Sequence, residues 1–297
     1  MARNWVVTGS RGQLGRALVS SLEAEGASVH ASDLPEVDIA DPVGLASWLD
    51  AAPREPAVVV NAAAFTHVDR CEREPEAAAR ANAQGPEVLA DACRHRGHRL
   101  VHVSTDYVFR GDGDHPYRET DPPDPVSTYG RTKLEGERAV LGASDASLVV
   151  RTSWVFGAGR NFLAAILAQA EARRTGEASG PLRVVADQRG RPTYAVDLAR
   201  AIRTLVEGEA RGLYHVANAG EATWWDLARL CLDECGFSDL EVERIRTQDL
   251  DLPAPRPAWS VLDCTKAEAA GVRMRSWQDA VRAYLRSDES PRSEGSS

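Results

Sequence analysis

The chain has 297 residues, 43% of them hydrophobic, and a formal net charge of -9. That is enough apolar material for one large domain or for two modest ones sharing an interface. The acidic balance excludes a broad basic surface, so no nucleic acid and no membrane is expected as a partner.

In chain order, NWVVTG reads as a strand, QLGRALVSSLEAEG as a helix, SVHASD as a strand, PVGLASWLDAA as a helix and PAVVVNAAA as a strand. EPEAAARANAQGPEVLADACRHRG (74–97) follows as one helix, RLVHVSTD as a strand, then a Pro/Asp/Gly loop over 111–127, a helix from about Thr128, and SLVVRTSWVFG (147–157) as a strand. Short Val-rich strands alternating with amphipathic helices predict an α/β fold, a Rossmann-like doubly wound parallel sheet covered on both faces. The second half is less regular. NFLAAILAQAEARRTG reads as a helix, LRVVADQ as a short strand, VDLARAIRTLVEG as a helix, GLYHVANAG as a strand and TWWDLARLCLDECG as a helix. A Pro-rich segment, LPAPRPAWS, and a last helix near SWQDAVRAYLRS complete it. The expected division is a dinucleotide-binding domain over 1–155 plus about 191–218, and a smaller, discontinuous C-terminal substrate domain over about 156–190 and 219–286. The polar tail 287–297 is expected to be disordered.

MARNWVVTGSRGQLG has too short an apolar run for a signal peptide, and no later segment approaches the ~20 apolar residues of a membrane span, so a cytoplasmic protein is expected. Five cysteines without paired C-x-x-C spacing predict reduced thiols and no zinc site.

GSRGQLG stands between the first strand and the first helix, with Gly9, Gly12 and Gly15 in the spacing GxxGxxG. Such a turn lets the backbone approach a pyrophosphate, and the helix N-terminus supplies amides and positive dipole. Asp33, after the second strand, fits a ribose 2'-hydroxyl and NADH, or is a solvated loop residue; Arg11, inside the turn, fits a 2'-phosphate and NADPH. Asn61, Ala62, Ala63 and Ala64 end the third strand at the ligand-binding edge of such a sheet, where small side chains admit a flat ring or a ribose.

Only two of the 35 basic residues are lysines, and one of them, Lys133, lies four residues after Tyr129 in STYGRTKLEGE. On a helix the two share a face. A phenol with a pKa of about 10 exchanges protons at neutral pH only with a cation nearby, and a compact ammonium provides that while bonding ribose hydroxyls. One strand earlier, Ser104 and Thr105 offer a hydroxyl for a substrate carbonyl, and alternation along a strand points one of them into the cleft.

Together these motifs resemble the extended short-chain dehydrogenase/reductase superfamily and, within it, the dTDP-4-dehydrorhamnose reductase family. The likeness is carried by GQLG, VNAAAFTHVDRCEREPE, STDYVFRG, YGRTKLEGE, RTSWVFG and RPAWSVLD, and spans residues 5 to about 285. The resemblance implies NAD(P)H-dependent reduction of the 4-keto group of dTDP-4-dehydro-6-deoxy-L-hexose, with Thr105, Tyr129 and Lys133 catalytic. It implies cofactor contacts at Gly12, Gln13, Leu14, Asp33, Asp38, Ile39, Ala62, Ala63 and Ala64, with NADPH or NADH accepted. Trp154, Asn161 and Arg256 are the candidates for the sugar nucleotide, since an indole suits a sugar face and an Arg fork a pyrophosphate. Thr193 reads as a helix cap. Some members form a magnesium-bridged dimer through a glutamate early in the first helix; Ala17 stands there and offers no carboxylate, so a monomer or metal-independent dimer is expected. Two further readings remain: a related 4-keto-6-deoxysugar reductase of an antibiotic-sugar pathway, and a non-catalytic regulatory subunit like that of methionine adenosyltransferase.

Overall fold

The structure, a computed structural model, describes residues 4–52 and 57–290. β1 (Asn4–Thr8) leads through α1 (Gln13–Ala24) to β2 (Ser28–Ser32), and α2 (Pro42–Asp50) leads to β3 (Val58–Asn61). Then come α3 (Val68–Arg73), α4 (Pro75–Ala79), a π turn over Arg80–Gln84, α5 (Gly85–Arg96), β4 (Arg99–Thr105), a tight turn over Asp106–Val108, α6 (Thr128–Ala143) and β5 (Leu148–Thr152). The remainder runs β6 (Val155–Phe156), α7 (Phe162–Arg174), β7 (Leu182–Val185), β8 (Arg189–Gly190), β9 (Thr193–Tyr194), α8 (Ala195–Glu207) and β10 (Gly212–His215). It ends with β11 (Ala222–Thr223), α9 (Trp224–Glu234), β12 (Val242–Ile245), α10 (Thr265–Ala269) and α11 (Trp277–Arg286).

Six strands form one parallel sheet in the order β10-β5-β4-β3-β1-β2. Chain order reverses between β1 and β3, so the loops leaving these strands part there and leave a crevice at the sheet's C-terminal edge. The inner strands are rich in Val and Leu because both faces are covered, whereas β2 at the edge is only partly buried, and alternation along the inner strands sorts residues between two cores. Trp5, Val7, Val58, Val60, Val101, Leu148 and Val150 pack under α1 and α8. Their neighbours Val6, Val59, Leu100 and Val149 pack on the other face with Leu45, Leu49, Leu89 and Val140. Each such side chain stabilises the sheet by about 1.5–3 kcal/mol.

In the second half, Leu182 and Val184 of β7 pack with Ile166 and Ala170 of α7 and with Ala228 and Leu232 of α9. Val281 and Tyr284 of α11 join Phe156, Leu163, Tyr194 and Leu227. The outer edge of β10 is bonded by its own chain: the His215 amide donates to Glu119 at 2.8 Å, and Lys266 Nζ donates to the Leu213 carbonyl at 2.6 Å. No helix among the described residues is long and apolar enough to cross a membrane.

Several expectations change. The helix over 74–97 keeps helical backbone from Pro75 to Arg96 but carries a π turn over Arg80–Gln84, where Pro86 has no N–H to offer the Asn82 carbonyl, which instead lies against Gly136 of α6. The strand over 147–157 breaks at Trp154, whose φ of +47° turns the chain so that β6 leaves the main sheet and pairs with β9. Thr193 does not cap α8: it lies in β9, and its hydroxyl donates to the Arg191 carbonyl. Of the expected tail, 287–290 are described, with the Tyr194 hydroxyl donating to Glu289 at 3.1 Å. Residues 291–297, and 53–56 before the third strand, lie outside the described residues.

Candidate active site

The glycine loop sets one wall of the crevice. Gly9 takes a φ of +70°, and a Cβ there would stand 2.5 Å from the Ala63 amide nitrogen, so only glycine lets the first turn pass the end of β3. The Gly12 amide donates to the Gly9 carbonyl at 3.1 Å, and α1 starts at Gln13 without a side-chain cap, which leaves its first amides open to an anion. Leu14 and Gly15 are buried in the first turn of α1. Gln13 Nε2 donates to the Arg160 carbonyl, while its Oε1 is buried with no hydrogen-bond partner. Asp33 accepts from the backbone amides of Arg11 and Leu34 at 2.9 and 2.8 Å. The Arg11 guanidinium is itself drawn to Glu36 and the Leu34 carbonyl. Asp38 is paired with Arg80 at 2.6 Å, and Ile39 is buried in the core beneath Gly85. Ala62, Ala63 and Ala64 are half-buried at the crevice.

The second wall is the end of β4 and the start of α6. Ser127 caps α6 by accepting from the Gly130 amide, and a Cβ on Gly130 would run into the Tyr107 carbonyl. The helix can therefore press its first turn onto the 106–108 turn, which brings Tyr129 to Thr105. Burial pushes the Tyr129 phenol well above its ordinary value, the Thr105 hydroxyl pulls the other way, and the Asp106 charge adds to the rise. The Tyr129 ring meets Tyr107 edge-on at 5.5 Å. Thr105 donates to Asp106 Oδ1 at 3.0 Å and accepts from the Tyr107 amide. It is thus Thr105 that faces the phenol, whereas the Ser104 hydroxyl is buried with no partner.

One turn along α6, Lys133 is 2% exposed and donates to the Val103 carbonyl at 2.7 Å. Its Nζ also lies 3.3 Å from His102 Nε2. Burial lowers its pKa to about 8, opposed by the charge of Glu137. Glu137, a further turn on, binds Arg151 of β5 through two bonds of 2.8 and 2.7 Å, both side chains buried.

Two residues that the sequence did not single out, Asp106 and His102, lie at this site, and Asn61, expected at the sheet's ligand edge, is instead buried beneath it. Asp106 is buried, and its carboxyl is pushed up to about 6 by burial, with the nearby Ser260 and Thr105 hydroxyls holding it back. His102 and Asn61 lie under Lys133, bonded to each other at 3.1 Å. The signal for these was a polar residue inside an otherwise apolar strand: His102 within RLVHVST and Asn61 ending VVVN.

The three sugar-nucleotide candidates are not placed alike. Trp154 is half-buried, stacked on Trp224 at 3.8 Å, just beyond Thr152, which pairs with Thr105 in the sheet. Arg256 binds Asp69 at 2.7 Å, and both act electrostatically on Tyr107, so the pair lies on the Tyr129 side of the crevice. Asn161 caps α7, and its amide nitrogen bonds the Gly157 and Gly159 carbonyls and the Tyr284 hydroxyl. It stands beside the glycine loop, and its polar atoms are engaged within the chain.

The doubly wound sheet, its glycine loop and a Tyr–Lys pair one helical turn apart define a short-chain dehydrogenase/reductase of the extended type. A family model, the RmlD substrate binding domain, matches residues 3–290. The chain is 42% identical over 286 residues to a dTDP-4-dehydrorhamnose reductase of Mycolicibacterium smegmatis, covering 95% of this chain and 84% of that one. It is equally 42% identical over 285 residues to a probable dTDP-4,6-dihydroxy-2-methyloxan-3-one 4-ketoreductase of Streptomyces antibioticus, covering 94% and 93%. The solved dTDP-4-dehydrorhamnose reductase of Bacillus anthracis in complex with NADP superposes with a TM-score of 0.88 at 30% identity, over 96% of this chain and 99% of that one. The chain belongs to the dTDP-4-dehydrorhamnose reductase family.

Proposed function

We propose that the protein is an NAD(P)H-dependent oxidoreductase that reduces the 4-keto group of dTDP-4-dehydro-6-deoxy-L-hexose to give dTDP-L-rhamnose. The observation that carries this reading is the convergence of Thr105, Tyr129 and Lys133 beside an uncapped helix N-terminus. The uncapped amides of α1 suit a pyrophosphate, and the buried, unpartnered Gln13 Oε1 suits a donor such as a ribose hydroxyl or a carboxamide. Gly9, Gly12, Gln13, Leu14, Gly15 and Ala62–Ala64 would hold the dinucleotide, with Asp33, Asp38 and Ile39 on its adenosine side. NADPH is the expected reductant, the B. anthracis relative having been solved with NADP, and NADH is possible because a carboxylate, Asp33, follows β2 and Arg11 is held by Glu36.

When bound, the reduced nicotinamide supplies a hydride to C4 of the sugar. Tyr129 gives its proton to the ketone oxygen, and burial favours the protonated phenol that this step needs. Thr105 turns its O–H from Asp106 to the same oxygen and fixes it in line with the phenol. Lys133 keeps an N–H for the ribose hydroxyls. Trp154 offers a flat face to the hexose, and Arg256 offers a guanidinium to the pyrophosphate. Asn161 acts in this reading by shaping the 157–161 loop through its internal bonds.

Residues 1–155 with about 191–218 hold the cofactor, and about 156–190 with 219–286 hold the sugar nucleotide. The enzyme works in the cytoplasm as a monomer or metal-independent dimer. Size-exclusion with and without a chelator tests the last point, and a dimer lost on chelation would sink it.

Oxidation of NADPH on adding dTDP-6-deoxy-L-lyxo-4-hexulose tests the main reading; folded protein that leaves the cofactor reduced would overturn it. The S. antibioticus relative favours a second reading, the same chemistry on another 4-keto-6-deoxy stereoisomer. A higher kcat/KM for the 3- or 5-epimer than for the L-lyxo sugar would select it.

A further inference from the structure

A chain of buried hydrogen bonds runs beneath the site from β1 through β3 and β4 to α6, and its polarity can be read from one end. Asn61 Oδ1 lies 3.1 Å from the Ala63 amide, which can only donate, and 2.8 Å from the Thr8 hydroxyl. The Asn61 side chain is thereby fixed with its oxygen toward Ala63 and its NH2 toward His102 Nδ1, at 3.1 Å. Nδ1 must then accept. A neutral imidazole that accepts at Nδ1 carries its proton on Nε2, and that nitrogen faces Lys133 Nζ at 3.3 Å. An N–H pointing at an ammonium would set donor against donor. Pointing at an amine, it finds a lone pair, while the amine's own N–H still donates to the Val103 carbonyl at 2.7 Å.

We propose that His102 is a positioning residue that presents an N–H to Lys133, with Asn61 fixing its tautomer, so that the seat at His102 favours the amine form of the lysine over the ammonium. The ammonium has no acceptor at His102 and must leave it for the crevice, toward Tyr129 and the ribose. Lys133 thus has two seats, one for each protonation state. The functional meaning rests on the reductase reading above; the protonation state itself does not.

The other groups around Lys133 do not compensate. Glu137 lies one turn along α6, but its two oxygens are taken by Arg151 from β5. Asp106, past the end of β4, bonds to Thr105, and Tyr129 on α6 is protonated. His102 does not take the proton instead, since its complete burial by itself holds its pKa below the ordinary value.

The chain's two lysines make this directly measurable. In ligand-free enzyme labelled with 13C,15N-lysine, the side-chain resonances of Lys133 and Lys266 are followed against pH, with Lys266→Arg for assignment. Lys133 should titrate with a midpoint of about 8. The 15N shifts of His102 should report a bare Nδ1 and a protonated Nε2. In Asn61→Asp the carboxylate accepts from Nδ1–H, Nε2 turns its lone pair to the lysine, and the Lys133 midpoint should rise by about 1–3 pH units. A Lys133 midpoint alongside that of Lys266, or the opposite tautomer in the wild type, overturns the proposal, and the tautomer readout needs no Lys266→Arg assignment. Because both are read without substrate, the proposal and the reductase assignment fail separately.

Discussion

Tyr129 and Asp106 sit on either side of the Thr105 hydroxyl, and the same burial keeps a proton on each of them longer than water would. In the proposed role of Tyr129, giving a proton to a developing alkoxide, holding that proton at working pH is the useful state. Tyr129→Phe should lower kcat by about 10²–10⁴-fold with an unchanged melting temperature, because only the hydroxyl is lost. Asp106 loses its proton as pH rises through about 6, and its charge then makes the phenol harder to ionise. A kcat/KM profile with an inflection near that pH, abolished in Asp106→Asn, is the expected outcome. The pairing of Tyr129 with Lys133 was legible in the sequence because it is written in local spacing and type, whereas strand alternation left Thr105 open beside Ser104 and only the family resemblance chose it. His102 and Asp106 were not assigned there, and Asn61 was read only as part of the sheet's ligand edge, since a buried polar residue acquires meaning from neighbours that other strands bring to it.

Along α6, Tyr129, Lys133 and Glu137 follow one another at four-residue intervals, so one stripe of the helix carries the proposed proton donor, the buried lysine and its anchor. Glu137 ties the stripe to β5 through Arg151. Removing one partner of a buried pair strands a charge, so Arg151→Met should cost about 3–5 kcal/mol in chemical denaturation. The double variant Glu137→Gln, Arg151→Met should recover much of that loss. If the single variant were as stable as the wild type, the anchoring role would fail. At this scale the regular βαβ alternation was legible because burial on both faces demands Val-rich strands. α3, where only Cys71 is buried, has no apolar stripe to read. The two-residue strands β6, β8, β9 and β11 exist only through pairing with distant segments, and the left-handed backbone at Trp154 left no mark in residue type.

Over the whole molecule, two buried histidines shape the response to acid. His102 and His215 both have pKa values driven down by burial, His215 to about 3. Below about 6.5 the unfolded chain takes up two protons that the native state refuses, so stability present at neutral pH is lost as pH falls. Asp106 has the opposite sign: its native value of about 6 exceeds that of a free carboxyl, so it favours the native state as pH falls from 6 toward 4. The histidines outnumber Asp106, so stability should fall as pH drops from about 6 to about 4, measurable by urea denaturation; a flat profile would contradict it. The bonded margin of β10 bears on assembly. A sheet grows from copy to copy only where a row of backbone donors and acceptors waits for a partner. Glu119 and Lys266 already occupy such groups on β10, so continuous sheets and fibres cannot start from that side, and contact between copies must be made by helices, loops or the far strand.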